Sequence, residues 1–515
     1  VTDDSHAFLK AWLFFTNQRD ENGNLLVGNA KNVDYPTQSG ELIIPYLAGN
    51  NIATYLVGVQ LLPGETICLN YNGTIVCPPI ANATPSTPKE WSDWSLQNPL
   101  NNANANLTSF FGKPVPLLNM NACLWGTIDG FTIRGDNNAY KSKIKYKNDF
   151  LYGTFLYGNL PAIIPDPSLE PNYSNFNKAQ VGDFMVTRFA KNIKIENIEI
   201  DGNSSEYIVG GYSGDLGRQL SPSGFRFDCT DGIVVNKVTV SKMGFDGLEI
   251  SGISNNISLN NSNFISNGRQ GFSWTGGTNL VASYCKFSQT GKEYNSSLGY
   301  ALSSSPAAGI DIESEGYYAC NNNYSLSTCE NGKFNHCEII NNTGLALVND
   351  GCADVNNPSC TNRSENMLFF DCTFHDVEDY AIWAKGNKYV FDDCDIYGTV
   401  VHVNEGTNPT FATQFLYCEF EDKPYQGIHL PSIYKMVEYN DCKNTLFDNC
   451  TFKVNDKDRE FFYLNWNTNN LLESDYTVID HCTFTYNNEG HPGENPSFIR
   501  GVKFKGSNKI ENIKN

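Results

Sequence analysis

One pattern recurs seven times in the second half of this 515-residue chain and restricts its fold more than any other feature: a cysteine followed two residues later by Phe or Ile. It reads "YCKF" at Cys285, "HCEI" at Cys337, "DCTF" at Cys372, "DCDI" at Cys394, "YCEF" at Cys418, "NCTF" at Cys450 and "HCTF" at Cys482. Side chains two apart on a strand share a face, so each copy is a short strand that turns its cysteine and its Phe or Ile to the core. A second strand accompanies the first: "GFRFD" (224–228), "GLEIS" (247–251), "GFSWT" (271–275), "GIDIE" (309–313), "GLALV" (344–348), "AIWAK" (381–385), "VHVNE" (401–405) and "GIHLP" (427–431). Its first copies are about two dozen residues apart, the period of a solenoid. Inserted loops widen the later gaps.

Short strands at this period, joined by Asn- and Gly-rich corners such as "ISNGRQG" (265–271) and "INNTG" (340–344), describe an all-β coil of parallel sheets. Successive turns stack about 4.8 Å apart, so like residues form ladders. The seven cysteines are then an interior ladder of small apolar residues, and nothing in their spacing matches a zinc motif. The coil is expected to be one domain over 1–515, with an N-terminal cap and first turns (1–132) and an inserted region (133–185). A central coil carrying the groove (186–455) and the last turns (456–515) complete it. The inserted region carries the basic "YKSKIKYK" (140–147), read as a solvated edge strand.

A net charge of −20 disfavours nucleic acid and anionic membrane, both of which need a basic footprint. No apolar run approaches a membrane span, and the start at Val1 without Met is expected of a fragment or processed form. Of the remaining cysteines, Cys68 with Cys77, Cys320 with Cys329 and Cys352 with Cys360 sit in local loops. They read as three disulfides and an oxidising setting, whereas Cys123, Cys229 and Cys442 show no partner.

The opening "VTDDSHAFLKAW" (1–12) resembles the first segment of many pectin-lyase-like right-handed parallel β-helix proteins. In that family an amphipathic helix caps the coil. Asp3, Asp4 or Ser5 is placed to cap such a helix here, with Ala7, Phe8, Trp12 and Phe15 on its apolar side. "NGRQGFSW" (267–274) and "AGIDIE" (308–313) resemble segments of β-helix polysaccharide depolymerases and bacteriophage tailspikes. The resemblance implies a polysaccharide partner, a place outside the cell or on a virion surface, and a homotrimer as one assembly. The Arg-Ile-Lys segment of polygalacturonases is missing.

Aligning the second strand across turns puts Ile310 and Ile312 inward, and Asp311 and Glu313 outward. The outward columns also take Arg226, Asp228, Glu249, Ser251, Ser273, Thr275, Ala346, Trp383, Lys385, His402, Asn404 and His429. Acids for proton transfer, an indole for stacking and basic groups on one face suit a sugar chain. Asp311, Glu313 and Glu249 are therefore the candidate catalytic residues. Arg226, Asp228, Arg269, Gln270, Trp383, Lys385, His402 and His429 are the candidate substrate contacts. Insertions after "GIDIE" and "GLALV", and one at 288–307, would wall a cleft. Three functions fit: a glycoside hydrolase needing no cofactor or metal, a polysaccharide lyase whose acids hold Ca²⁺ while Lys385, Arg226 or a His takes the proton, and a non-catalytic carbohydrate-binding spike.

Overall fold

The computed structural model describes residues 4, 8, 38–46, 55–58, 60–61, 65–71, 74–76, 87–90, 117–121, 128–137, 139–155, 178–211, 220–314, 316–320, 323–350, 364–385, 387–403, 413–422, 435–440, 445–455, 460–465, 477–486 and 502–512. Their regular structure is almost entirely strand. The chain divides into two units, one of Val1–Glu249, Ser262–Arg269 and Gly291–Ser305, the other of Ile250–Asn261, Gln270–Thr290 and Pro306–Asn515.

The first unit has three ladders of parallel strands. Gln38–Ile44, Ile128–Gly135, Lys191–Glu196 and Asp231–Asn236 form one. Tyr55–Val57, Ser142–Tyr146, Ile198–Asp201, Thr239–Ser241 and Asn263–Ile265 form the next. Leu118–Asn121, Met185–Arg188 and Phe225–Asp228 form the third. The coil therefore begins well before residue 186, and the basic "YKSKIKYK" is one of its inner strands instead of an inserted edge strand. Ser142, Ile144 and Tyr146 are buried while Lys143 and Lys145 turn outward, as strand alternation requires. An excursion does exist a little later. Leu151–Thr154 and Lys178–Val181 join Ile208–Val209 and Gln60–Leu61 in a small mixed sheet.

The second unit repeats the same three-strand turn. Nine parallel strands, from Asn255–Asn260 to Val502–Lys505, make its first ladder. Seven of them, from Gly277–Ser283 to Thr477–Asp480, are followed in the chain by a strand that carries the apolar residue of the cysteine motif, and third strands such as Ala308–Ile312 and Leu347–Asp350 come next on several turns. Strands that pair in parallel with the equivalent strand of the turn before and the turn after make a parallel β-helix.

Aromatic ladders hold this coil together. Phe334, Phe369, Phe391, Phe415 and Phe447 stack face to face with centroids 4.7–5.0 Å apart, and Phe420, Phe452 and Phe484 do the same at 4.6 and 4.9 Å. The cysteine ladder is buried and reduced, as its spacing requires. Each ladder Sγ lies 3.3–3.5 Å from the carbonyl oxygen two residues back. Six of them also lie 3.3–3.7 Å from a carbonyl of the preceding turn. Cysteine suits this corner because it is small, apolar and a weak donor to carbonyls that face inward. Asn takes the left-handed position at several corners, among them Asn341 of "INNTG", while the residue before each ladder cysteine is also left-handed, and it is Tyr284, His336, Asp371, Asp393, Tyr417, Asn449 or His481. Stacked neighbours hold them in a conformation that costs such residues about 1–2 kcal/mol. Glycine opens the third strand for a different reason. A Cβ at Gly309 would sit 2.6 Å from both Asn342 Nδ2 and Ile339 Cγ2.

The cysteine pairing differs from expectation. Cys329 is a buried free thiol on a coil strand, with Sγ 3.2 Å from the Trp274 carbonyl, so it does not pair with Cys320. Cys229, for which the sequence shows no partner, is disulfide-bonded. The pairings Cys68 with Cys77 and Cys352 with Cys360 lie outside the described residues. Of the expected capping helix only Asp4 and Phe8 are described. They share one i to i+4 backbone hydrogen bond of 3.3 Å, and Phe8 packs edge-on against Tyr55 and Phe184.

Candidate functional site

In the first unit the strand Phe225–Asp228 alternates cleanly: Phe225 and Phe227 are buried, while Arg226 and Asp228 face outward. Register puts Arg226 beside Val186 and Asp228 beside Arg188. Glu249 receives the Arg226 guanidinium as a fork, with Nε to Oε2 at 2.8 Å and Nη2 donating to Oε1 at 3.1 Å. The remaining side of the guanidinium reaches Asp183, with Nη1 3.6 Å from Oδ2. Arg188 Nε lies 3.0 Å from Asp228 Oδ2, and Arg269 Nη1 lies 3.7 Å from Asp246 Oδ2 while covering the Phe245 ring at 4.6 Å. Arg226 and Arg188 thus share three carboxylates, Asp183, Asp228 and Glu249, and Arg269 forms a separate pair with the buried Asp246.

The network sets its own protonation. Burial pushes the Asp183 carboxyl up from its ordinary value, opposed by the Arg226 charge and by the Ser223 amide, which donates to Oδ1 at 2.6 Å. Glu249 above all, then Asp183 and Asp228, hold the Arg226 guanidinium firmly charged against the cost of burial. Such a set can accept and donate hydrogen bonds to neighbouring hydroxyls, and it contains one carboxyl biased toward its protonated form.

In the second unit the structure brings Gln270 and Asp311 together: the Gln270 amide donates to Asp311 Oδ2. Register sets Asp311 in a column with Ser273, Val348 and Trp383. Asp311 was expected on an open outward face, yet its strand is buried along its whole length and Asp311 is only 3% exposed, with Gln270 and Ser273 beside it equally covered. It is a buried hydrogen-bonded carboxylate, not part of an open charged face. Glu313, two residues on, is exposed. Trp383 is half-buried, with Tyr380 edge-on at 6.0 Å.

Two sequence alignments of this column slip. Val348, not Ala346, stands opposite Asp311, and Ala346 is buried. Val401 pairs with Trp383, which puts His402 in register with the buried Ala384 and out of the outward column. A slip of one residue moves a strand residue to the other face. Lys385 is in register with Asp350. His429 lies outside the described residues, and the strand that follows the Val400–Val403 segment in this ladder is Lys435–Asn440 instead of "GIHLP". The insertion after "GIDIE" is an antiparallel hairpin of Gly316–Cys320 and Asn323–Ser327.

Arg226, Asp228 and Glu249 were legible as one group from the repeat. Asp183 and Arg188 were not, because the turn that carries them departs from the Gly-led pattern of the later copies. The signal for Arg188 is "FMVTR" (184–188), whose alternation matches "GFRFD" one turn later, and Asp183 directly precedes that segment.

No family model and no curated protein matches this chain. Among solved structures it is similar to the A-module of mannuronan C-5 epimerase AlgE4 from Azotobacter vinelandii, with 11% identity over 75% of this chain and 82% of that one, at a TM-score of 0.40. It is also similar to the tailspike gp49 of Acinetobacter baumannii bacteriophage Fri1, a capsular polysaccharide depolymerase, with 14% identity over 75% of this chain and 55% of that one, at a TM-score of 0.33. The tailspike gp49 of Pseudomonas phage LKA1 gives 11% identity over 77% and 65%, at 0.33. Identities at this level transfer no residue roles.

Proposed function

We propose that this protein binds a polysaccharide and cleaves it as a glycoside hydrolase, outside the cell or on a virion surface. One observation carries the reading: Arg226 stands between Asp183 and Glu249, with a hydrogen bond and a 2.8 Å ion-pair contact to Glu249 and a 3.6 Å contact to the buried Asp183. Glycoside hydrolysis needs one carboxyl that gives a proton and one that stays ionised. Asp183 is biased toward the first role by burial, and Glu249, in contact with the same guanidinium, is assigned the second. Asp228, Arg188 and Arg269 supply hydrogen bonds to sugar hydroxyls. Asp311 and Glu313 are the corresponding acids of the second unit, with Trp383 as its stacking surface and Gln270, Lys385 and His429 as further contacts. Homotrimeric assembly belongs to the same proposal.

The test is a panel of bacterial capsular and plant-type polysaccharides, scored for new reducing ends and for ultraviolet-absorbing unsaturated ends. Asp183→Asn and Glu249→Gln are expected to lower cleavage by about 10²–10⁴-fold, the usual worth of a general acid or base. Cleavage retained in both, with loss in Asp311→Asn or Glu313→Gln, would move the chemistry to the second unit. Unsaturated products lost on chelation would make the protein a Ca²⁺-dependent lyase, and binding without cleavage a spike.

A further inference from the structure

The second unit carries another side-chain column that the site above does not use. It lies on the short strands that follow the cysteine corner. Register runs His375, Tyr397, Glu421 and Lys453 through four consecutive turns. Each is two residues beyond a position of the flanking column Thr373, Asp395, Glu419 and Thr451, which shares the same face. The inward neighbours Phe374, Ile396, Phe420 and Phe452 are buried in the core, so the spacing of this face is fixed by the coil at about 4.8 Å per turn.

The face is both ordered and reachable. His375, Tyr397, Glu421 and Lys453 are half-buried, and Asp395 is exposed. The His375 ring meets Tyr397 edge-on at 5.3 Å. Glu421 Oε1 accepts a 3.0 Å bond from Asn455 Nδ2, and Lys453 is held by Glu419. Lys453 and Glu419 neutralise one another, which leaves Asp395 and Glu421 as net negative charge. Asp371 and Asp393 line the adjoining corner and add to it. Burial and the neighbouring acids Glu419, Asp393 and Asp371 hold the Asp395 carboxyl above its ordinary value. Like-charge crowding of this kind is relieved by a cation.

We propose that the face formed by His375, Tyr397, Glu421, Lys453, Asp395 and Glu419 is a second glycan-binding surface, and that it takes a linear glycan carrying free amino groups along the coil axis. A rise of about 4.8 Å per turn is close to the length of one pyranose unit in an extended chain, so successive sugars meet equivalent rungs. Tyr397 offers a ring, His375 and Lys453 donate to hydroxyls, and Asp395 and Glu421 receive the ammonium groups. Polyuronates are repelled by the same two acids. The surface is independent of the Arg226 network and holds whether or not that network is catalytic.

The test uses the full chain and titrates three oligosaccharide probes by calorimetry at low salt and slightly acid pH: a glucosamine oligomer with free amines, its fully N-acetylated counterpart, and an oligouronate. The free-amine oligomer is expected to bind at least tenfold more tightly than either other probe and to weaken as salt is raised. Asp395→Asn and Glu421→Gln should each weaken it by about threefold to tenfold with unchanged melting temperatures. Equal binding of the N-acetylated probe, no binding of the free-amine probe, or unchanged affinity in both variants would overturn the proposal.

Discussion

Gln270 and Asp311 show how neighbours change the meaning of an acid. Asp311 lies in the column expected to face out, yet it is buried against an amide donor, and a polar group in that position depends on its hydrogen bonds. Gln270→Ala is expected to cost about 1–3 kcal/mol of stability, read from urea unfolding, because a buried polar group loses a donor. Asp183 makes a pH prediction. Its folded-state pKa lies above its unfolded value, so the folded protein binds the extra proton more readily than the unfolded chain does. Stability therefore rises as pH falls through the raised folded value and levels off below the ordinary carboxylate range. Asp183→Asn should abolish that slope, measured as melting temperature against pH. A slope that survives the substitution would assign it to another group.

Among the elements, the Phe stack and the cysteine corner carry the coil of the second unit. Phe391 lies between Phe369 and Phe415 and also meets Phe374 edge-on, so Phe391→Ala breaks the ladder in its middle. The expected cost is about 3–5 kcal/mol, checked by chemical denaturation. The eight buried free thiols, the seven of the ladder and Cys329, should be silent to a thiol reagent in the native protein and react after unfolding. Prompt native reactivity would contradict the inward placement. The strands also carry irregularities that the repeat does not. Thr373–Lys385 runs as one strand with register irregularities between His375 and Ile382, and Asp395–Val403 pairs with it across them. Those irregularities are why Val401 instead of His402 reaches the Trp383 column.

For the molecule as a whole, a solenoid turn contacts only its neighbours, so protection should follow position along the coil. Within the second unit, amides of the terminal strands Val502–Lys505 and Lys509–Asn512 are expected to exchange fastest, and those of Gly277–Ser283 and Cys329–Asn335, paired on both sides, slowest. Hydrogen exchange with mass spectrometry reads this directly, and uniform protection along the unit would argue against neighbour-only coupling. The charge of −20 accompanies this architecture without determining it, because a coil turns its acids outward by alternation.

The sequence by itself determined the coil. A cysteine and an apolar residue two positions on, repeated seven times with loops inserted between copies, point to a stack of parallel strands with that pair inside, and this physics is local to each turn. The same alternation determined that Arg226, Asp228 and Glu249 face away from the core. Tertiary structure alone decided which of them meet. The Arg226 fork to Glu249 and its reach to Asp183 depend on strand register, the burial of Asp311 on what packs over its column, and the free state of Cys329 on its inclusion in a coil strand. Each is a contact between residues far apart in the chain, set by stacking geometry that spacing along a sequence does not encode.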